Sequence, residues 1–425
     1  MLKIDRIAIW IFIIFFALVI PSLVLVKFID ELMTFSMLGL AAADILVNRQ
    51  WRRYRLLYIL LGVMAFYIIY SCTWVHYNSL KAILTGAILE LKPYIPLAIL
   101  LSIAPKVTAA ERRAMRFVAL LNISFCLIAL SSLTYFTTFI FGPIAIYGGV
   151  CILSAMVYLF ASISPDGRFS RQHLIVGIAM LCLGLFCTRS KYYGEFVLSL
   201  FFLFIYKPGM LRHMTMSRIF LLSAILVLVI AVAYQKISFY FLDAIDINHI
   251  DLNKMDSYAR MALYAMMFVV LGMHPAFGSG LASYASFASS KSYSSLYYKL
   301  GIDKVYGLSP SKPDFISDAY YPSLAQFGIV GIILYIWLWT YVYSFLRPLT
   351  RSDSTEDHTV FRIAAIIFCF IFIEMIAGTM VFMGPGELMV MLLALCCCYG
   401  KRRRLSAGET ADHIITESKI PNRIR

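Results

Sequence analysis

Apolar runs of about twenty residues recur along this chain, parted by short segments rich in Lys and Arg. No other feature narrows the choice of fold so far. A helix of that length crosses roughly 30 Å of hydrocarbon. Lipid offers no water to satisfy an open strand edge or a bare loop, so only helices and closed barrels span it. The period-two alternation of a barrel strand is missing, which leaves helices. The chain therefore reads as an all-α polytopic membrane protein. Composition supports this where it is decisive: 14% of residues are charged, against about 25% in soluble domains, and mean hydropathy is +0.82.

The expected architecture has about 12 transmembrane helices and one large extracytoplasmic loop. The spans fall at 7–26, 31–48, 56–74, 84–104, 116–134, 139–163, 173–187, 190–206, 217–235, 319–345, 359–380 and 384–400. Residues 1–235 thus hold helices 1–9, 236–318 the large loop, 319–400 helices 10–12, and 401–425 a basic tail. The first run lacks a small-residue cleavage site after it and is expected to be retained as a helix. The fourth carries Glu90, Lys92, Pro93 and Pro96 in its first half, so a broken or tilted helix is expected there.

Loop charge orients these helices. "NRQWRRYR" (48–55), "PKVTAAERRAMR" (105–116), "SPDGRFSRQ" (164–172), "KPGMLRHMTMSR" (207–218), "RPLTRSDSTEDH" (347–358) and "GKRRR" (400–404) each carry two or more Lys or Arg, and all but 347–358, where three acids follow two arginines, are net basic. Each follows an even-numbered span, so the positive-inside rule puts them and both termini in the cytoplasm. The net charge of +14 is largely accounted for by these anchors, and no nucleic-acid partner is implied. The tail from 401 has too little apolar surface to bury and is expected to be disordered. Eight of the nine cysteines sit inside apolar runs, Cys396-Cys397-Cys398 among them, as small core hydrophobes.

Two segments break the pattern. In "CTRSKYYGEF" (187–196), between the seventh and eighth spans, Arg189 and Lys191 lie on the outer side, against the positive-inside rule. Long cations snorkel to interfaces, and that is one reading. The other is an anion site: Arg presents a planar fork to phosphate oxygens, Lys adds a point charge, and the start of the eighth helix contributes free N–H groups. Glu195, four residues beyond Lys191, is its expected ion-pair partner.

The second segment is the loop at 236–318. A connection this long is functional or disordered rather than a plain linker. It holds a helical stretch opening near Arg260, the breaker-rich "HPAFGSG" (274–280), and Asp314 and Asp318 ahead of the tenth span. Asp318 suits a helix N-cap, and equally a general base; the two roles can coexist. Its tyrosines (Tyr284, Tyr293, Tyr297, Tyr298, Tyr320 and Tyr321) suit an interfacial belt better than a sugar-stacking surface. Glu90 and Lys92 either extend the phosphate site or pair with other helices. For Glu374 a structural hydrogen bond is expected.

The order Arg260, "HPAFGSG", an acidic residue and "QFGIVG" (326–331), with the "TRSK" turn (188–191) two helices before the large loop, resembles the O-antigen polymerase and ligase family. That resemblance implies a bacterial inner-membrane glycosyltransferase of GT-C-like fold, acting on the periplasmic face. It implies an undecaprenyl-diphosphate-linked glycan as donor and acceptor, membrane lipid as surroundings, and a chain-length regulator as a further partner. The family's diphosphate-holding arginines fall on Arg189 and Arg260. Ligases of the family, which move glycan to lipid A–core, present a histidine just before the "QFG" helix. Here "SDAYYPSLAQFG" has Asp318 instead, which favours the polymerase of O-antigen, capsule or exopolysaccharide repeats.

The chemistry is coherent on its own terms. Arg189, Lys191 and Arg260 would neutralise a departing diphosphate. Asp318, with Asp314 as second choice, would take the acceptor hydroxyl's proton. No DxD motif or Asp/His cluster calls for a metal, and no cofactor is expected. A ligase is the nearest alternative. A flippase is the other, disfavoured because charge gathers at one face rather than at midplane sites.

Overall fold

The structure, a computed structural model, describes residues 3–24, 28–131, 144–207 and 255–417. The ninth expected span and the first part of the large loop lie outside the described residues. Every regular element described is helical: α1 (Ile4–Ala17), α2 (Val19–Val24), α3 (Ile29–Asn48), α4 (Arg55–Tyr70), α5 (Leu80–Leu91), α6 (Tyr94–Ile103), α7 (Ala109–Ser131), α8 (Ile144–Ala161), α9 (Arg171–Gly184), α10 (Ser190–Leu200), α11 (Met255–Met273), α12 (Phe287–Lys291), α13 (Leu296–Leu300), α14 (Gly328–Arg351), α15 (Thr355–Ile376) and α16 (Gly384–Glu417).

Four helical stretches are long and apolar enough to cross a membrane: Trp51–Val75, Ala109–Leu130, Gly328–Arg351 and Thr355–Ile376. The α5–α6 pair, bent by 42°, makes a fifth if taken as one broken span. Pro93 stands at the break as the N-cap residue of α6, where a missing N–H costs no helical bond. The chain is thus a multi-pass membrane protein. Twelve full spans are not reached among the described residues, because the other drawn segments fall on helices that are shorter or more polar. In α3, Asp30, Glu31 and Asp44 interrupt the apolar run, and α10 has only 11 residues.

The bundle is built around α16. Leu388 through Cys398 are buried on every side, as a helix apolar all round must be, and they pack against α6, α8, α14 and α15. The three adjacent cysteines occupy this interior. The helix does not stop at residue 401 but continues to Glu417, where a disordered tail was expected. Its basic residues hold the exit turn: Lys401 donates to Leu101 O at 2.7 Å, Arg402 to Pro105 O at 2.8 Å, and Arg403 pairs with Asp357 at 2.7 Å.

Basic loops meet at that end of the bundle. Arg112 donates to Ile163 O at 2.9 Å and pairs with Glu356 at 3.5 Å, and Thr359 Oγ1 donates to Gly167 O at 2.6 Å. Loops that follow even-numbered spans therefore touch one another, as their shared Lys and Arg content suggests.

At the opposite end, residues 255–327 fold over a second apolar cluster that includes Leu263, Tyr284, Leu296, Tyr297 and Ile316. Asn78, just before α5, ties this part down by donating to Ala282 O at 2.8 Å and Ser292 O at 2.6 Å. The tenth helix starts later than expected. Residues 321–326 form a 3-10 turn with Pro322 near its start, and α14 begins only at Gly328, with φ +63°. Asp318 is consequently not an N-cap.

Candidate functional site

The "TRSK" turn owes its shape to a short 3-10 turn at Leu185–Cys187 followed by Thr188 in the left-handed region, φ 54°. Arg189 then stands extended as the N-cap residue of α10. Its side chain is exposed and makes no hydrogen bond or ion pair among the described residues. Lys191, half-buried in the first turn of α10, reaches a different element. Its Nζ donates to Glu374 Oε2 at 2.5 Å and to Ala377 O at 3.4 Å, at the end of α15.

The expected Lys191–Glu195 pair is therefore replaced by one with Glu374. Glu195 is buried beside Glu374 and Lys191, whose charges it feels. A residue four positions along a helix lies on the same face. That face here turns into the bundle, where Glu374 offers the nearer oxygen. This also supplies Glu374 with the partner that the sequence did not reveal.

Arg260, in α11, forms an ion pair with Asp318. One turn further, Tyr264 donates to Ile376 O at 2.6 Å. Two residues past Asp318, Tyr320 N–H donates to Met375 O at 3.1 Å, and Tyr321 OH to Phe372 O at 3.0 Å. The "TRSK" turn, α11 and the Asp318 segment are thus all fastened to the last turn of α15, between Phe372 and Ala377. Lys191 bonds to it directly, the paired Arg260 and Asp318 are tied to it through Tyr264 and Tyr320, and Arg189 stands two residues before Lys191 without a bond to it. Asp314, by contrast, is exposed and bonds to nothing polar among the described residues.

"HPAFGSG" and "AQFGIV" form one structural unit. Gly280 N–H donates to Gln326 O at 2.9 Å, Ile329 N–H to Pro275 O at 2.9 Å and Val330 N–H to Ala276 O at 3.1 Å. The backbones approach so closely that a Cβ on Gly278 (φ +72°) would lie 2.4 Å from Ala325 O. One on Gly328 (φ +63°) would lie 2.3 Å from Gly278 N. Only glycine fits both the contact and the positive φ. From α4, Tyr67 donates to Phe327 O at 2.6 Å and Tyr70 to Gly278 O at 3.0 Å, which fixes the unit on the bundle.

His274 opens this unit and bonds to Tyr77 OH through Nε2 at 2.9 Å. Burial, reinforced by the nearby Lys299 ammonium, holds its pKa below the ordinary histidine value. The tyrosines follow neither expected pattern uniformly. Tyr284 and Tyr297 are fully buried inside the loop's own core, Tyr293 packs on Tyr297 with ring centroids 5.1 Å apart, and only Tyr298 is exposed.

Lys92 is withdrawn from any phosphate role by its neighbours. Nearly fully buried, it pairs with Asp30, with Glu31 at 3.3 Å and with Glu387 at 3.5 Å. Glu90, two residues before it in sequence, is not part of that cluster; its Oε2 accepts from Tyr320 OH at 3.4 Å. Glu90 thus neither extends the phosphate site with Lys92 nor pairs with a cation among the described residues. Tyr264 drew no attention in the sequence, although it lies four residues from Arg260 on the same helical face.

Comparison with known proteins adds one match. Residues 173–336 fit the family model described as O-antigen ligase. The stretch contains the "TRSK" turn, Arg260, Asp318 and the "QFG" motif, so the resemblance drawn from those segments holds at the level of the family. The match does not separate polymerases from ligases. No curated protein matches the chain.

Proposed function

We propose that this chain, which carries the O-antigen ligase domain at residues 173–336, polymerises undecaprenyl-diphosphate-linked repeat units on the periplasmic face of the bacterial inner membrane, with both termini cytoplasmic. The family supports glycosyl transfer in polysaccharide assembly. The observation that supports the finer reading is that Lys191, two residues from exposed Arg189, bonds to the same end of α15 to which the Arg260–Asp318 pair is tied through Tyr264 and Tyr320.

In this mechanism Arg189 and Arg260 bind the donor's diphosphate through charge-assisted bonds, and Lys191 adds positive field from its place beside Glu374. The diphosphate competes with Asp318 for the Arg260 guanidinium. Donor binding thereby frees the Asp318 carboxylate to act as general base. The acceptor hydroxyl oxygen bonds to the anomeric carbon, and its proton passes to Asp318. The anomeric C–O bond to phosphate breaks, and its electron pair leaves with the diphosphate, whose charge the arginines hold. Configuration at that carbon inverts in a single displacement.

His274 favours the polymerase over the ligase. It is the histidine nearest the "QFG" unit, yet it is engaged by Tyr77 and stands ahead of the motif rather than in Asp318's place. The test is the glycan made by a deletion strain. A single repeat on the acceptor is the expected phenotype; complete absence of attached glycan would instead identify a ligase, and repeats left on the cytoplasmic leaflet a flippase.

A further inference from the structure

Beside the basic site lies a cavity of about 220 Å³, walled by α5, by the turn entering α12, by the Tyr320–Ser323 segment, by residues 379–383 and by Glu31 of α3, whose carboxylate is held by Lys92 at 3.3 Å. Its polar groups include the Glu90 carboxylate, Ser286 and the Tyr320 hydroxyl; its apolar wall includes Phe382, whose ring lies 4.8 Å from that of Tyr320. Two short stretches of chain connect it to the chemistry. Tyr320 is two residues from Asp318. Thr379, on the opposite wall, follows Gly378, whose added Cβ would sit 3.2 Å from Lys191 Nζ.

Glu90 is the group that needs an explanation. Its one hydrogen bond among the described residues is the long contact from Tyr320, while Lys92 is already held by three other carboxylates. A half-buried carboxylate with no cation partner among the described residues is costly unless a ligand supplies donors. A polyprenyl tail supplies none. A sugar ring supplies several hydroxyls for the carboxylate and a C–H face for the aromatic wall. The volume, below the range of about 300–1,000 Å³ typical of drug-sized ligand sites, suits a single pyranose.

We propose that this cavity is the acceptor-sugar site, in which Glu90 accepts hydrogen bonds from hydroxyls of the acceptor's terminal sugar and Tyr320 positions Glu90. The inference rests on the polymerase reading and assigns a substrate-binding role to a residue outside the stretch matched by the family. It places the attacked donor at the arginines and the attacking sugar on the far side of Asp318.

The test uses the full chain in lipid nanodiscs, with lipid-linked repeat units extracted from a deletion strain as both substrates. Glu90→Gln is expected to raise the KM for the acceptor repeat about tenfold, as loss of a charge-assisted bond does, with affinity for undecaprenyl diphosphate unchanged. Thr379→Phe, which fills the cavity from the other wall, should do the same. If neither variant moves the acceptor KM, the cavity is not the acceptor site. A fall in diphosphate affinity in parallel with thermal stability would equally overturn the proposal, since it marks Glu90 as structural. A wild-type protein that elongates nothing refutes the polymerase reading itself, which keeps the two failures apart.

Discussion

Replacing Asp318 with Asn should strengthen donor binding and abolish transfer. The Asp318 carboxylate occupies the Arg260 guanidinium, and the two side chains are 31% and 21% exposed. Fully exposed pairs contribute about 0–1 kcal/mol, and hydrogen bonds to charged groups about 1.5–3 kcal/mol. For this half-buried pair about 1 kcal/mol is reasonable, which is the competition a diphosphate must overcome to reach Arg260. Asn keeps the shape and removes the charge, so affinity for undecaprenyl diphosphate should rise about fivefold. Loss of a general base lowers the transfer rate by about 10²–10⁴-fold. Binding is read by competition on purified protein in nanodiscs, and transfer by the ladder of elongated lipid-linked glycan. Arg260→Lys serves as the control: it keeps the charge and loses the fork, so both binding and transfer should weaken. If Asp318→Asn binds diphosphate less tightly than the wild type, Asp318 orients Arg260 rather than competing for it. If the variant elongates normally, Asp318 takes no proton.

Three further outcomes follow from the same geometry. Arg189→Ala should leave stability within about 0.5 kcal/mol, as expected for an exposed side chain with no hydrogen bond or ion pair among the described residues, yet abolish elongation; full-length polysaccharide in cells with normal protein levels would remove Arg189 from the site. Lys191→Met leaves buried Glu374 and Glu195 without their cation and should cost about 3 kcal/mol, the lower end for a broken buried pair. Thermal unfolding in detergent should show that loss and its partial recovery in Lys191→Met/Glu374→Gln, and an unchanged midpoint in the single variant would refute the pairing. His274 has a depressed pKa in the folded protein, so the unfolded chain binds its proton more readily. Its contribution is complete above the unfolded value of 6.5 and is lost as pH falls through the folded one. The thermal midpoint should drop on acidification from about pH 7.5 to about pH 5, and less so in His274→Gln; identical pH profiles would show that His274 is not the group responsible.

What the sequence revealed was carried by local rules. Hydrocarbon length and loop sign marked the membrane helices, and the basic loops that shared a parity do meet at one end of the bundle. Proline chemistry foretold the break between α5 and α6. The start of α14 was misjudged because apolar Ala319, Leu324 and Phe327 extend the hydrophobic run upstream, while Pro322 and the positive φ of Gly328 end regular helix geometry there. Such a boundary is set by two residues, and a run of mean hydropathy hides it. The tail was misjudged for the opposite reason. Its helix is held at the exit by Lys401, Arg402 and Arg403 bonding to partners up to 300 residues away in sequence, which composition cannot anticipate.

The candidate site divides in the same way. Arg189, Lys191, Arg260 and Asp318 were legible as candidates because their features are local: two cations against the expected loop sign, an arginine opening the loop's helical stretch, and an acid ahead of a glycine-containing motif. Glu374 was not, because its meaning lies in a cation 183 residues away. The last turn of α15 could not have been recognised at all, since it contributes mainly backbone. Its carbonyls at Phe372, Met375, Ile376 and Ala377 accept from Tyr321, Tyr320, Tyr264 and Lys191 in turn, and any side chain there would leave those acceptors intact. That arrangement has a functional consequence. The "TRSK" turn, α11 and the Asp318 segment are joined through one helix end, so the spacing between Lys191, Arg260 and Asp318 is fixed by backbone geometry. Substitutions within Phe372–Ala377 that keep the helix and the Glu374 carboxylate should be tolerated, whereas a proline at Ile376 would shift all three components together.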